Sequence, residues 1–118
     1  MPTYSKLNLS PSLNGRPILI TASGSPGTVV HTAVSGVAVP PMDEVWIYAT
    51  NGDSAARTLT LQWGGTISGA DTFVAGIPSK QGLYLLVPGF IVYSGVQIRA
   101  YSDVGSKVTI AGFINRIT

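Results

Sequence analysis

Ala56-Arg-Thr-Leu-Thr-Leu-Gln-Trp63 sets Leu59, Leu61 and Trp63 against Thr58, Thr60 and Gln62, one of each kind in turn. Side chains that alternate between two faces belong to a β-strand, and this strand has one apolar face and one wet face. Just upstream, Glu44-Val-Trp-Ile-Tyr-Ala-Thr50 alternates too, with Val45, Ile47 and Ala49 on one side and Trp46 and Tyr48 on the other. Between them lies Asn51-Gly-Asp-Ser54. Asn and Gly tolerate positive φ, so this segment predicts a hairpin joining the two strands.

The same grammar extends in both directions. Arg16 to Ala22 and Thr28 to Val34 read as strands around a tight Ser23–Gly27 link. Ser35 to Asp43 is a longer connection whose Pro40-Pro41 pair does not suit a central strand. Thr72 to Ile77 and Leu83 to Val87 follow, and Pro88-Gly89 reads as the centre of a type II turn that re-aims the chain. Val96, Ile98 and Ala100 alternate with Gln97, Arg99 and Tyr101, and this strand is expected to pair with Lys107 to Ile117 across Ser102–Ser106. No stretch of a dozen residues carries helical apolar spacing free of Gly or Pro. The expectation is all-β: a single antiparallel β-sandwich of about seven or eight strands over residues 16–118, of jelly-roll or Greek-key type. Residues 1–15 read as an extended N-terminal arm, because Pro2 and Pro11 interrupt any ladder. The arm carries Tyr4, Leu7, Leu9 and Leu13, side chains that a purely solvated tail does not need, so it is expected to dock on its own domain or on a neighbour.

Composition agrees and narrows the function. A chain of 118 residues fits one domain. Twelve Val, ten Ile and eleven Thr favour a pleated backbone, while fourteen Gly and eight Pro exclude a helical bundle. Charged residues are only 10% of the chain, against about 25% in an average soluble domain. Mean hydropathy is +0.35, so twelve Ser and eleven Thr must do most of the wetting. Such a surface is poorly defended against association, and part of it is expected to be covered in the working state. The absence of Cys excludes disulfides and thiolate metal sites. The net charge of +2 is scattered, with no basic stripe for nucleic acid. The longest apolar run, Leu83 to Tyr93, is broken by Pro88-Gly89 and falls short of the ~20 residues that span a bilayer. No basic and apolar leader opens the chain, so synthesis in the cytoplasm and no membrane partner are expected.

The residues that could carry chemistry are few. His31 is the single histidine and sits mid-strand with Val29 and Ala33 as alternation partners, which favours a half-buried or interface role over catalysis. Asp43 and Glu44 are adjacent and point to opposite faces if both lie in a strand. Asp53, Asp71 and Asp103 lie in turns, where Asp caps its own backbone. No segment has the dense oxygen ligands of a calcium loop. Gly24–Gly27 and Gly64-Gly65 lack the Lys and the helix of a phosphate cradle. Asn8-Leu-Ser10 matches a glycosylation sequon by chance. No nucleophile, base and orienter fall together in the sequence. The expectation is a protein that is not an enzyme, with no catalytic residue, cofactor or metal.

Aromatic residues carry the remaining signal. If Val45, Ile47 and Ala49 are core, Trp46 and Tyr48 face outward as a protein interface or a sugar-stacking platform. Coverage of both faces within the domain is the equal alternative. Tyr84, Tyr93 and Tyr101 are further rim candidates. Tyr4, Leu7 and Leu9 from the arm, with Trp46 and Tyr48 from the sheet, are the expected interface residues.

Four segments together resemble small structural proteins of tailed bacteriophages: Glu44–Asn51, Leu59-Thr-Leu-Gln-Trp-Gly-Gly65, Gly82-Leu-Tyr-Leu-Leu-Val-Pro-Gly89, and Ile110-Ala-Gly-Phe-Ile-Asn-Arg-Ile-Thr118. The likeness covers about residues 28 to 118, and none of its motifs is catalytic. It implies a capsid decoration, or cement, protein on the virion surface, partnered by the major capsid protein and by itself. Attachment at three-fold positions makes a homotrimer the first expectation and a dimer the second. A tail, neck or head-fibre component of the same virion is one alternative. A carbohydrate-binding β-sandwich that takes a host glycan on Trp46, Tyr48 or Tyr84 is another.

Overall fold

β-Branched and aromatic residues in alternation produce nine strands in the computed structural model, which describes residues 3–36 and 41–118. They are β1 (Tyr4–Asn8), β2 (Ile18–Ile20), β3 (Thr28–Thr32), β4 (Met42–Asn51), β5 (Arg57–Trp63), β6 (Thr72–Ile77), β7 (Tyr84–Val92), β8 (Gln97–Ser102) and β9 (Val108–Ile117). No helix occurs among the described residues. One antiparallel sheet, sheet A, runs β1-β9-β4-β7, with β2 sharing the β9 edge beside β1. The other, sheet B, runs β3-β8-β5-β6.

The pairings are nested. β2 pairs β9, β3 pairs β8, β4 pairs β7 and β5 pairs β6, so the chain is a long hairpin folded at residues 64–71 and rolled into two layers. That is the jelly roll, with its first strand broken into β1 and β2. Both ends of the chain meet in sheet A, where Thr3 and Thr118 exchange backbone hydrogen bonds of 2.8 and 2.9 Å.

Alternation sorts the side chains as expected in β4, whereas in β5 Thr60 and Gln62, expected on a wet face, are buried on the outer side of sheet B. In β4, Val45, Ile47 and Ala49 are buried while Trp46 and Tyr48 are on the other side; in β5, Leu59 and Leu61 are core. Ile20, Val30, Ile98, Ile110 and Ile114 complete the centre. The side between edge strands β6 and β7 is closed by Trp63, Phe73 and Phe90, whose ring centroids lie 5.8 to 6.3 Å apart with edge-on geometry.

Pairing departs from the sequence reading in four places. β4 and β5 do not form a hairpin, because Asn51–Ser54 carries the chain from sheet A to sheet B. The Asn51 side chain donates to Ala55 O at 2.8 Å and Ile77 O at 3.0 Å, which fixes a crossing instead of a reversal. β8 and β9 likewise belong to different sheets. Residues 4–8 of the expected arm form β1, with Leu7 opposite Ile114. Pro11 falls after the ladder ends and does not interrupt it; Pro2 lies outside the described residues. Pro88-Gly89 is a bulge inside β7 and not a turn between strands: the register shifts there and Gly89 has φ +86°. Proline is tolerated because β7 is an edge strand. Of the Pro40-Pro41 connection, residue 40 lies outside the described residues.

Candidate functional site

The two outer faces of the sandwich differ in chemistry. Residues directly opposite in an antiparallel pair share a face, and the ladder rows of sheet A sort accordingly. Tyr4 lies opposite Ile117 and Ile117 opposite Met42; Lys6 lies opposite Asn115 and Asn115 opposite Glu44. Phe113 stands between Asn8 and Trp46, and Ala111 faces Tyr48. Leu85 and Ile91 extend the surface across β7. Sheet B carries Thr58, Thr60, Gln62, Gln97, Arg99 and Tyr101 on its outer side, with Val29 and the exposed Val74 beside them, and Thr60 is buried there. Its Gln62 is covered by the β2–β3 connection, accepting from Gly27 N at 2.8 Å and donating to Ser25 Oγ at 2.9 Å.

Among the described residues all nine strands lie within the two layers, and no strand covers the outer side of sheet A. Tyr4 is 69% exposed, and Leu85 and Ile91 are 47% and 48% exposed. An apolar sheet face of this kind marks a contact surface.

Trp46 and Phe113 define its centre, with centroids 6.0 Å apart and planes inclined by 10°. The indole lies against Gly89, where a Cβ would come within 3.0 Å of Trp46 Cζ2. Trp46 Nε1 donates to Glu44 Oε1 at 2.8 Å and Asn115 Nδ2 donates to the same oxygen at 3.1 Å. These donors, Trp46 first, hold the Glu44 carboxyl below the usual carboxylate range. Lys6 Nζ sits 4.3 Å from the Phe113 centroid, a cation–π contact.

Of the five expected interface residues, Tyr4, Trp46 and Tyr48 come together on this face. Leu7 points to the opposite side of β1, at the sheet edge, and is 40% exposed. Leu9 is a correction: it is 1% exposed and belongs to the core. Its inward direction follows from the alternation of Leu7 and Leu9 with Lys6 and Asn8, a signal present in the sequence. Tyr84 is also inward, opposite Ala49 and packed on the core.

His31 is neither half-buried nor at an interface. It is fully enclosed, with Nε2 2.7 Å from Asp43 Oδ2, and Nδ1 3.1 Å from Ser10 N and 2.8 Å from Ser10 Oγ. A backbone N–H can only donate, so Nδ1 is the unprotonated acceptor and Nε2 carries the proton toward Asp43. Burial holds the imidazole below its ordinary pKa and outweighs the upward pull of Asp43. Burial also pushes the Asp43 carboxyl up, but hydrogen bonds from Arg116, His31 and Val34 N together hold it below its usual range. Arg116 is bidentate to Asp43 at 2.8 and 3.1 Å. A hydroxyl, an imidazole and a carboxylate are therefore brought into line, which the sequence did not disclose. The hydroxyl is engaged elsewhere too, accepting from Thr32 N at 2.9 Å and lying 3.2 Å from Thr32 O. The cluster fastens the segment after β1 to β3, β4 and β9.

Asp53, Asp71 and Asp103 cap turn backbone as expected, accepting from Ser54, Ile67 and Val104 N–H respectively. A cavity of about 180 Å³ lies apart from the aromatic face, lined by Gly64, Gly65, Thr66, Gln97 and Arg99. Its guanidinium is bonded to Gly27 O and Gln97 Oε1. Among the described residues no group of three His, Cys, Asp or Glu side chains could hold a metal ion. No protein-family model and no curated protein matches the chain.

Proposed function

We propose that this chain is a non-catalytic virion structural subunit, a capsid decoration protein that binds the major capsid protein lattice from outside and stabilises the head. The observation that carries the proposal is the apolar and aromatic outer face of sheet A, which no strand of the described residues covers, set against the more polar outer face of sheet B. Low charge and a Ser/Thr-wetted surface suit a protein that works by permanent burial of area, not by turnover. The resemblance of the Glu44–Asn51, Leu59–Gly65, Gly82–Gly89 and Ile110–Thr118 segments to phage structural proteins supports a virion as the assembly. Jelly rolls serve capsid and lectin domains alike, so the fold admits the role without requiring it. Co-sedimentation of the purified chain with heads stripped of decoration tests the proposal. Saturable pelleting at near-stoichiometric occupancy is expected; a chain that stays in the supernatant overturns it.

The near-parallel Trp46 and Phe113 rings favour a second reading, a host glycan stacked on the same face beside Glu44 and Asn115. Binding on a glycan array with quenching of Trp fluorescence is its expected signature, and silence in both removes it.

A further inference from the structure

We propose that the outer face of sheet A is occupied by the same face of a second copy of this chain, the two related by a two-fold axis that runs along β9. The inference rests on the reading that this face is covered in the working assembly; it makes a second copy, in place of the capsid lattice, the cover, so that any capsid contact falls on the outer surfaces of the pair.

Two charges interrupt the centre of this apolar surface. Lys6 projects over the Phe113 ring, and Glu44 lies beside Trp46. Both belong to one row of the sheet: Lys6 is opposite Asn115 on β9, and Asn115 is opposite Glu44 on β4. With neighbouring strands ~4.8 Å apart, the backbone positions of Lys6 and Glu44 flank β9 at about equal distances, and both side chains lean toward β9, onto Phe113 and Asn115. A two-fold axis lying in the contact plane along β9 exchanges the two flanks. It sets Lys6 of each copy over Glu44 of the other, twice. The same operation brings the edges of the two Phe113 rings together at the axis, since their faces are taken by Trp46 and Lys6, and brings Tyr4 of one copy to Met42 of the other.

A contact in which i meets j while j meets i is isologous, the geometry of a closed dimer. An uncharged apolar partner would strand both charges without counter-ions, which disfavours it. Glu44 uses Oε1 for Trp46 and Asn115, leaving Oε2 for an incoming ammonium. The outer face of sheet B, mostly polar apart from Val29 and Val74, stays outside the pair.

The size suits a weak interface. β4 and β9 over ten residues each and β1 over five, at ~4.8 Å between strands and ~3.3 Å per residue, give a flat footprint of roughly 400 Å² before side-chain relief is added. Stable contacts begin at about 600 Å² per partner, so a weak dimer in the micromolar range or above is expected.

Sedimentation velocity on the full chain across micromolar concentrations tests the proposal, with Lys6→Glu and Glu44→Lys as variants. The wild-type chain is expected to form a dimer. Each variant alone places like charges in both pairs and is expected to raise the dimer dissociation constant about tenfold or more. An equimolar mixture of the two restores a dimer of one copy each, because every charge then meets its opposite. Glu44→Gln retains an oxygen acceptor for Trp46 and Asn115 and is expected to weaken the dimer while circular dichroism stays unchanged. A wild-type chain that is monomeric or trimeric overturns the proposal. So do variants that dimerise undiminished, or a mixture that stays monomeric. Failure here is distinct from failure of the decoration reading: a monomer that still pellets with heads loses the dimer alone, and a dimer that ignores heads loses the capsid role alone.

Discussion

His31 Nε2 donates to Asp43 Oδ2 across 2.7 Å, and this bond joins β3 of sheet B to β4 of sheet A inside the sandwich. Arg116 closes the other side of the carboxylate from β9, and Ser10 closes the other side of the ring. One buried polar cluster therefore ties both sheets, the segment after β1 and the C-terminal strand. Every buried side-chain polar atom among the described residues has a partner. A network satisfied in that way is costly to break at any member.

Asp43→Ala removes the acceptor for His31 Nε2–H, Val34 N–H and Arg116 at once. The chain is expected to lose about 3 kcal/mol of stability, because a buried donor and a charge lose their partner. Urea unfolding followed by Trp fluorescence measures it. A midpoint unchanged from wild type would mean that the cluster does not hold the sandwich together.

Acid should loosen the fold through His31. Its folded pKa lies below the ordinary 6.5, so from about pH 6.5 downward the unfolded chain binds a proton that the folded chain refuses. Stability is therefore full above that pH and falls as pH drops toward the folded pKa. Protonated Nδ1 also opposes the Ser10 N–H, so the Ser10 anchor is released together with the stability. Unfolding midpoints from pH 8 to pH 5 should decline in the wild type. His31→Gln should flatten that decline, and a wild-type curve without slope in this window would contradict the burial of a neutral imidazole.

Strand positions were legible in the sequence where alternation is local, as with Leu59, Leu61 and Trp63 against their Thr and Gln neighbours. Pairing was not. Asn51-Gly-Asp-Ser announces a change of direction, but only the reach of the Asn51 amide to Ile77 O, 26 residues away, decides that the chain enters the other sheet. The outward direction of Trp46 and Tyr48 could be read from β4 alone, whereas their neighbour Phe113 belongs to β9, at the far end of the sequence. The Ser10, His31, Asp43 and Arg116 cluster was hidden for the same reason, since its members lie 21, 12 and 73 positions apart along the bonds that join them. Pro2 and Pro11 obscured β1, although its Lys6/Leu7/Asn8/Leu9 alternation was in plain sight.

Leu7 and Leu9 offer a controlled comparison two residues apart. Leu9 is core and Leu7 is at the open edge of β1. Leu9→Ala is expected to cost about 3 kcal/mol and Leu7→Ala less than about 1 kcal/mol, since only the first leaves a cavity. Equal losses in urea unfolding would show that the segment is not seated as described.

Gly89 and Gly112 bracket Trp46 from two strands and allow its position. A Cβ at Gly112 would collide with the Trp46 carbonyl oxygen, and β9 is the central strand that pairs with β1, β2 and β4. Gly112→Ala must push β9 away from β4 and is expected to cost about 2 kcal/mol or more. Gly89→Ala acts differently. Its backbone is at φ +86° in an edge-strand bulge, and its new methyl would lift the indole off the sheet. It is expected to destabilise less than Gly112→Ala while moving the Trp46 ring, so a shifted Trp emission maximum with a nearly retained unfolding midpoint is its signature. The order of the two midpoints is the decisive measurement: a Gly89→Ala chain less stable than Gly112→Ala would place the tight packing of sheet A at β7 and not at the β9–β4 contact.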